Sequence, residues 1–338
     1  MILTVTLNPC IDHTLFVHGL KPHDSNKVDR IETDAGGKGI NLSRMVAELD
    51  GDTVATGFLG GETGDFILSV LTSKGVGTDF VQVNQPTRTN LSVESGDGPP
   101  TVFSAKGPKV SEQEWESLIL LVRNLAQSSS WVALGGSLPP GVPDDSYKVL
   151  GDIVKQSGSK LMIDADGAPM RLGLEAGPDL IKPNKDETER LLGRNIESLE
   201  DALDCATQLR ESLVAQGSAD AVAIVSLGSQ GAVLCSGKNL LYGVPPTIKS
   251  NSTIGSGDSF LGGLLVSKEA GHDESDGLRA GIAAGAATAG SDGTRLGTKA
   301  EFLALKDQCV VVTAEEAKRM TKGGQVPWPN VREPSSGP

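Results

Sequence analysis

The chain has 338 residues and a mass of 35.0 kDa, long enough for one large domain with a small addition. Its net charge of −13 and pI near 4.8 argue against nucleic acid or an anionic membrane as the main partner. No apolar run approaches the roughly 18 residues of a membrane span, and the first residues lack the basic start of a secretion signal. We therefore expect a cytoplasmic protein with reduced core thiols, because the cysteines fit no metal or redox spacing: Cys10, Cys205, Cys235 and Cys309.

Short apolar runs alternate along the chain with longer stretches of helical periodicity. Runs that are apolar on both faces predict buried strands, and their alternation with helices predicts a mostly parallel sheet covered on both sides. Ligands of such sheets bind beyond the carboxyl ends of the strands. The predicted strands are 2–7, 54–59, 131–134, 160–164, 179–182 and 221–226, and the predicted helices are 40–49, 65–74, 112–127, 145–156, 199–216 and 258–269.

Two segments break this alternation. Residues 14–17 with 27–33, and 88–95 with 101–105, have the alternating polarity of short hairpin strands. They predict either ordinary surface hairpins or a small β appendage that covers a site or a partner subunit. The final residues, 323–338, are rich in Gly, Pro and Ser, which predicts little fixed structure.

The most informative stretch is NSTIGSGDSF at residues 251–260, which opens an apolar run. Its two glycines permit a sharp turn, and a helix beginning near Asp258 directs unpaired N–H groups and a positive dipole end at a ligand. Such an end is typical of phosphate sites. A carboxylate there repels the phosphate unless it has a role, such as accepting a proton from an attacking hydroxyl. The alternative is an ordinary aspartate cap after a glycine turn.

Four further motifs precede a helix or follow a predicted strand: DAGGKGIN at 34–41, GGSLPPG at 135–141, KPNKDE at 182–187 and SLGSQG at 226–231. With the GSGD segment, this set resembles the PfkB, or ribokinase-like, family of carbohydrate kinases over roughly residues 1–310, in the right order. The N-terminal TLNP followed by Asp12 resembles the phosphosugar branch, with 1-phosphofructokinase, tagatose-6-phosphate kinase and the minor 6-phosphofructokinase. Ser256 stands where the family most often has alanine.

The resemblance implies a ribokinase-like three-layer α/β/α sandwich with a mostly parallel central sheet and a small β-sheet lid. It implies a kinase domain over residues 1–312, with a lid formed by about 12–35 and 86–107, and a C-terminal extension over 313–338. It also implies that the lid mediates a homodimer contact.

The resemblance assigns the catalytic and nucleotide residues. Asp258 accepts the proton of the sugar hydroxyl that attacks the γ-phosphate of ATP, and backbone N–H groups of Gly255, Ser256 and Gly257 form the anion hole. Asn184 and Glu187 resemble the family's N-x-x-E element, in which Glu187 organises Mg²⁺ through water, whereas the alternative is a capping box. The other residues expected at ATP are Lys182, Ser226, Gly228, Gly231, Thr253 and Gly285, the last in a run of small residues that also fits tight helix packing.

The resemblance also assigns the sugar side. Asp12 and Asn41 match residues that hydrogen-bond sugar hydroxyls, and glycine at 36 and 37 lets the backbone approach the sugar. An arginine can grip the phosphate already on the sugar with two parallel hydrogen bonds, and a lysine supplies a point charge. The residues assigned to the sugar and its phosphate are Asp12, Lys27, Gly36, Gly37, Lys38, Asn41, Arg88 and Ser137, although Lys27 equally fits a solvated surface lysine.

The resemblance implies an ATP-dependent kinase that converts a ketohexose phosphate into the bisphosphate. Fructose 1-phosphate is the preferred substrate because the GGKGIN segment looks closest to 1-phosphofructokinase and tagatose-6-phosphate kinase. Tagatose 6-phosphate and fructose 6-phosphate stay open as alternatives, as do a free-sugar kinase and a non-catalytic sugar-phosphate sensor on the same fold. Asp258 in its glycine nest favours a kinase over a sensor, and Lys27, Lys38 and Arg88 favour a phosphorylated substrate.

Overall fold

The computed structural model describes residues 1–96 and 100–322. All six strands expected for the central sheet are present, with ends within two residues of those predicted. The strands, in chain order, are β1 (Ile2–Thr6), β2 (Cys10–Val17), β3 (Val28–Gly36), β4 (Thr53–Leu59), β5 (Gly77–Thr78), β6 (Val81–Gln82), β7 (Arg88–Glu94), β8 (Thr101–Phe103), β9 (Trp131–Gly135), β10 (Lys160–Asp164), β11 (Leu180–Ile181), β12 (Val222–Ser226), β13 (Ala232–Cys235), β14 (Leu240–Val244) and β15 (Val310–Thr313).

The helices also follow the predicted pattern, with five additional ones in the described part of the chain. Several begin with side-chain caps, among them the capping box of Ser111 and Glu114. The helices, in chain order, are α1 (Lys38–Glu48), α2 (Gly61–Ser73), α3 (Glu112–Ala126), α4 (Ser146–Ser157), α5 (Gly167–Gly173), α6 (Lys185–Leu192), α7 (Leu199–Ala215), α8 (Ser256–Glu269), α9 (Glu274–Ala289), α10 (Lys299–Lys306) and α11 (Ala314–Lys322). The additional helices are α5, α6, α9, α10 and α11.

The central sheet runs in the order β15-β14-β13-β12-β11-β10-β9-β1-β4-β5, with β6 also paired to β4. Every neighbouring pair from β12 to β5 is parallel. The edge formed by β13, β14 and β15 is antiparallel. The predicted mostly parallel sheet is confirmed, and its antiparallel edge is an addition that the sequence pattern did not predict.

Helices cover the sheet on both faces because successive side chains of a strand point in opposite directions. In β1, Leu3 and Val5 lie in one core with residues of α3, α4 and α7, whereas Ile2 lies in the other core with α1, α8 and α9. All three side chains are at most 1% exposed. The expected three-layer α/β/α sandwich is therefore confirmed.

A second, smaller sheet has the order β3-β2-β7-β8, and we call it the lid. β2 pairs antiparallel with β3 and parallel with β7, which pairs antiparallel with β8. Both predicted hairpin segments belong to it, although β2 begins at Cys10 and β3 continues to Gly36. Because β2 leaves β1 after only three residues, the lid starts at the carboxyl end of the central sheet.

The C-terminal part of the described chain packs onto the main domain. The expected boundary at residue 312 falls inside β15, and Ala317 of α11 is fully buried against the core of the α7 face. The expected tail from 323 lies outside the described residues.

Two expectations from composition concern the whole chain. The four cysteines are unpaired and buried, as expected of reduced core thiols. No helix within residues 1–96 and 100–322 combines the length and apolar character needed to cross a membrane.

Candidate active site

A cleft of about 320 Å³ opens between the lid and the carboxyl ends of β1 and β9. The strands end here because the sheet is parallel, so loops and helix starts from distant parts of the chain meet at one edge. Eight residues assigned from the sequence line this cleft together: Asp12, Gly37, Lys38, Asn41, Arg88, Ser137, Gly255 and Asp258.

Asp258 lies in the first turn of α8, which begins after Gly255 in the left-handed backbone conformation with φ of 74°. Asn41 Nδ2 donates a hydrogen bond of 2.9 Å to Asp258 Oδ2, so α1 orients the carboxylate. Loss of solvation, and next the negative charge of Asp164, raise the pKa of Asp258 to about 6. A carboxylate with such a pKa is a stronger base than an exposed aspartate and is still ionised at neutral pH.

The start of α8 presents a polar, positively biased surface beside this carboxylate. The Ser256 hydroxyl is buried and has no hydrogen-bond partner among the described residues. Lys182 is 4% exposed, and its Nζ would lie 3.3 Å from a Cβ added to Gly257. No hydrogen bond to this ammonium is present within the described chain. The helix N-terminus and the buried lysine together form a site suited to an anion.

Lys38 lies at the junction of the cleft with the strand ends behind it. Its Nζ is 2.9 Å from Asp164 Oδ1 and 4.0 Å from Glu187 Oε1. Asp164 is the last residue of β10 and is 4% exposed. Burial opposes its charge, but Lys38 and Lys182 hold the pKa of Asp164 below its usual range. Asp164 is a site residue to which the sequence pattern assigned no role.

The lid holds Asp12 in a fixed orientation over the cleft. Its Oδ1 accepts hydrogen bonds from Asn90 Nδ2 at 3.0 Å and from the Cys10 thiol at 3.2 Å. A Cβ added to residue 36 would lie only 1.9 Å from Asp12 Oδ2. Glycine at this position therefore makes room for the Asp12 carboxylate, and it does not adopt a left-handed backbone conformation. Asn90 and Cys10 are cleft residues that sequence reasoning missed. Cys10 lies two residues before Asp12 on the same strand, whereas the register of Asn90 opposite Asp12 only becomes visible in the fold.

Arg88 and Ser137 line the same cleft as the start of α8. Arg88 donates from Nε and Nη2 to the Asn8 carbonyl and from Nη1 to the Ala105 carbonyl. Asn8 in turn donates from Nδ2 to Ser137 Oγ at 3.1 Å. A cation and a hydroxyl are thus held together by one asparagine, in an arrangement suited to a phosphate.

Asn184 and Glu187 form the capping box that was the alternative interpretation of their spacing. Asn184 Oδ1 accepts from the Glu187 N–H, and Glu187 Oε2 accepts from the Asn184 N–H. The box leaves Glu187 Oε1 directed toward Lys38. Asn184 also pairs with Ser226 in a parallel bridge, so these two strand ends lie side by side.

The remaining residues assigned to ATP lie outside the described cleft lining: Gly228, Gly231 and Thr253 in turns and loops, and Gly285 within α9. Glycine is required at 231 because an added Cβ would lie 2.0 Å from the Gly243 carbonyl, and Gly228 has φ of 61°. Thr253 is exposed, and its carbonyl accepts from the Ser256 N–H. A Cβ added to Gly285 would lie 3.1 Å from the Ser256 carbonyl oxygen. Gly285 therefore allows α9 to pack tightly against α8, which was the alternative interpretation of this position.

Lys27 is the one assigned sugar residue that the structure keeps away from the others. It is exposed on the loop before β3 and is not part of the described cleft lining. Its placement fits the solvated surface lysine that was the alternative interpretation.

Known proteins resemble this chain over nearly all of the described domain. The model of the family described as "pfkB family carbohydrate kinase" matches residues 5–301. A 1-phosphofructokinase of Borreliella burgdorferi is 36% identical over 290 residues, covering 86% of this chain and 92% of the relative. A 1-phosphofructokinase of Bacillus subtilis is 32% identical over 305 residues, covering 90% of this chain and 96% of the relative.

Solved structures show the same fold. Phosphofructokinase-2 from Escherichia coli, in complex with substrates and products, superposes with a TM-score of 0.85. It is 30% identical, and the match covers 91% of this chain and 98% of that structure. The same enzyme in a tetrameric inhibited form gives a TM-score of 0.81 at 28% identity, covering 91% of this chain and 98% of that structure.

Proposed function

The chain belongs to the PfkB family of carbohydrate kinases, and from that membership we propose that it phosphorylates fructose 1-phosphate to fructose 1,6-bisphosphate with ATP. The observation that carries the proposal is the cleft itself, whose lining combines the aspartate in the first turn of α8 with an arginine and a serine hydroxyl. Relatives named 1-phosphofructokinase at 32–36% identity over most of the chain support the choice of sugar phosphate. Tagatose 6-phosphate and fructose 6-phosphate are the second candidates, because they present the same phosphate and ketohexose chemistry.

Asp258 performs the proton transfer in this proposal. Its carboxylate accepts the proton of the free primary hydroxyl as the hydroxyl oxygen forms its bond to the γ-phosphorus, and the bond to the ADP oxygen breaks. Asn41 keeps the carboxylate aimed at the hydroxyl through its 2.9 Å hydrogen bond. The N–H groups of Gly255, Ser256 and Gly257 stabilise the charge on the phosphoryl oxygens.

The sugar phosphate is held by the lid and the loops beyond β1 and β9. Asp12 accepts hydrogen bonds from sugar hydroxyls, and Arg88 with Ser137 binds the phosphate. In the present arrangement Arg88 donates to the carbonyls of Asn8 and Ala105, so phosphate binding exchanges some of these bonds.

The residues on the nucleotide side fit ATP and Mg²⁺. The Ser256 hydroxyl and the Lys182 ammonium, which have no hydrogen-bond partner among the described residues, are donors suited to phosphate oxygens, and Asn184 with Ser226 borders the same strand ends. Glu187 Oε1 is the carboxylate oxygen that would hold Mg²⁺ through water. A bound metal would neutralise negative charge on the phosphates. Gly228, Gly231, Thr253 and Gly285 would border the nucleotide.

We also propose a homodimer that forms through the outer face of the lid. Ile31 and Phe103 on the lid strands are each 58% exposed and lie outside the described cleft lining. Large apolar side chains grouped on one sheet face favour burial against another protein surface. A second copy of the lid presents the same face, as a two-fold interface requires. The four free thiols and the use of ATP support a cytoplasmic location.

The experiment that tests the kinase proposal is ADP release by the full chain with Mg-ATP and single sugars. The panel contains fructose 1-phosphate, fructose 6-phosphate, tagatose 6-phosphate, free fructose and ribose, with ATP alone as control. We expect saturable activity with kcat/KM highest for fructose 1-phosphate, by at least about tenfold. A different preferred phosphosugar would replace the substrate, activity only with free sugars would contradict the phosphate assignment, and no activity at all would favour a sensor.

A further inference from the structure

The surroundings of Lys38 do not fit a role limited to binding the phosphate already on the sugar. Its ammonium is 2.9 Å from Asp164 Oδ1, at the end of β10, and 4.0 Å from Glu187 Oε1, in the first turn of α6. Lys38 and Asp258 both line the large cleft and also a second, much smaller cavity beside Asp164. The lysine therefore lies between the cleft and the residues proposed for the nucleotide, next to the proposed base. Arg88 and Ser137 line the large cleft but not the smaller cavity, and both hydrogen-bond to Asn8.

Asp164 is placed to fix this lysine. It is 4% exposed, and the hydrogen bond that its carboxylate receives within the described chain comes from Lys38 Nζ. Its backbone is also fixed, because its carbonyl accepts from the Gly136 N–H. Lys38 retains 32% of its side-chain exposure, so the pair offers little stability by itself. A buried carboxylate that holds a partly exposed lysine at a reaction site is better explained by positioning than by stabilisation.

We propose that Lys38 is a catalytic residue that contacts the phosphoryl group in transfer, and that Asp164 is a positioning residue that holds the Lys38 ammonium there. The inference rests on the proposed kinase function and deepens it, because it moves Lys38 from the phosphate already on the sugar to the phosphate being moved. Lys38 stays protonated throughout. Its charge stabilises the equatorial oxygens while the ADP oxygen leaves with the bonding electrons and Asp258 receives the hydroxyl proton.

The test begins with the wild-type chain and the phosphosugar that it prefers, so that failure of the proposed function is recognised first. Steady-state kinetics are then compared for Lys38→Met, Asp164→Asn and the double variant. We expect Lys38→Met to lower kcat by about 10²–10³-fold, the usual cost of removing one group that stabilises transition-state charge. The KM for the phosphosugar should change less than about threefold, because Arg88 and Ser137 still hold its phosphate.

The double variant distinguishes an effect of Asp164 that acts through Lys38 from an effect of Asp164 that is independent of the lysine. We expect Asp164→Asn to lower kcat by about tenfold or more and to add less than about threefold once Lys38 is absent, because its role acts through the lysine. The double variant also removes both charges, so it avoids leaving an unpaired buried carboxylate and keeps the test valid if a single variant folds poorly.

Arg88→Met is the matched control, because it should raise the phosphosugar KM with a smaller effect on kcat. The proposal is overturned if Lys38→Met raises that KM by about tenfold while kcat stays nearly unchanged. It is also overturned if the losses of Lys38→Met and Asp164→Asn multiply fully in the double variant.

Discussion

At the scale of a single residue, two opposing requirements act on Asp258 as the proposed base. A general base must be ionised to accept a proton, yet the site that excludes water disfavours its charge. The structure resolves this by surrounding it with both signs: Asp164 opposes ionisation, and Lys38, Lys182 and the Asn41 amide favour it. The resulting pKa of about 6 keeps the carboxylate charged at neutral pH and makes it a better proton acceptor.

The first prediction at this scale concerns pH. The base is active when deprotonated, so kcat/KM should fall as the pH drops below about 6, with a slope of one proton. The charged groups that act on the pKa of Asp258 are Asp164, Lys38 and Lys182, and burial raises the pKa of the nearby Cys10 thiol far above its ordinary value. A pH–rate profile with saturating Mg-ATP measures the effect. A flat profile down to pH 5 would contradict the assigned base.

The second prediction concerns the stability cost of that base. The folded pKa of Asp258 lies above its ordinary value of 3.8, so the folded state binds the proton more tightly and the ionised form destabilises it at pH 7. Asp258→Asn should therefore raise the free energy of unfolding by about 1–3 kcal/mol at pH 7. The gain should fade as the pH falls from about 6 to about 4, where the wild-type carboxylate is protonated.

Denaturant unfolding at both ends of this pH range measures that gain. The exposed residue Asp144 provides the control, since Asp144→Asn should change stability by less than about 0.5 kcal/mol. A variant at residue 258 that is clearly less stable than wild type at pH 7 would show that the ionised carboxylate stabilises the fold.

The sequence motifs predicted many of the residues that line the cleft, but not which of them contact each other. The GSGD segment led to Asp258, and the resemblance assigned Asn41 to sugar hydroxyls. The hydrogen bond from Asn41 to Asp258 appears only in the structure. The pair of Lys38 and Asp164 was not predictable, because the two residues are 126 apart and meet only through the register of β1, β9 and β10.

At the scale of helices and strands, two glycines allow the close contacts that position residues of the cleft. α8 begins two residues before Asp258, at Ser256, because Gly255 adopts a left-handed conformation that ends the preceding turn. At the end of β3, Gly36 leaves room for the Asp12 carboxylate of the neighbouring strand. This contact joins neighbouring strands of the lid and fixes the Asp12 carboxylate beside the cleft.

Gly36→Ala tests this close approach. The added Cβ would overlap Asp12 Oδ2, so Asp12 must turn away from its hydrogen bonds with Asn90 and Cys10. We expect the KM for the phosphosugar to rise by about tenfold or more, with the KM for ATP nearly unchanged. Gly290→Ala is the control, because a Cβ there meets only ordinary contacts at 3.6 Å. Equal effects of the two substitutions would remove the special role of the Asp12 contact.

The antiparallel edge of the central sheet was not predicted from the sequence. β13 and β14 are runs of four and five residues that turn back antiparallel beside β12, and β15 joins them from 66 residues later in the chain. Short apolar runs of this kind do not reveal their direction, because pairing depends on which neighbouring strand is available.

At the scale of the whole molecule, the lid contributes Asp12, Arg88 and Asn90 to the lining of the cleft. Ile31 and Phe103, also on lid strands, are exposed and lie outside the described cleft lining. A dimer through the outer face of the lid would stiffen the strands that hold the sugar. Oligomeric state and sugar affinity are therefore expected to change together.

The prediction is that Ile31→Asp combined with Phe103→Asp converts the dimer to a monomer and raises the KM for the phosphosugar. Charges at a buried apolar interface are costly, whereas they are tolerated on an exposed surface. Light scattering after size-exclusion chromatography measures the mass. Leu120→Asp on α3 is the control, because this leucine is 59% exposed and lies away from the lid. A wild-type chain that is already monomeric at micromolar concentration would refute the dimer.

The most direct test of the central claim follows the product of wild type and Asp258→Asn with Mg-ATP and fructose 1-phosphate by ³¹P NMR. The account predicts that wild type yields a sugar with two phosphate esters and one ADP per sugar. It predicts a rate about 10²–10⁴-fold lower for Asp258→Asn, with the binding of Mg-ATP retained. Near-normal turnover by that variant, or ADP release without a second ester on the sugar, would contradict it.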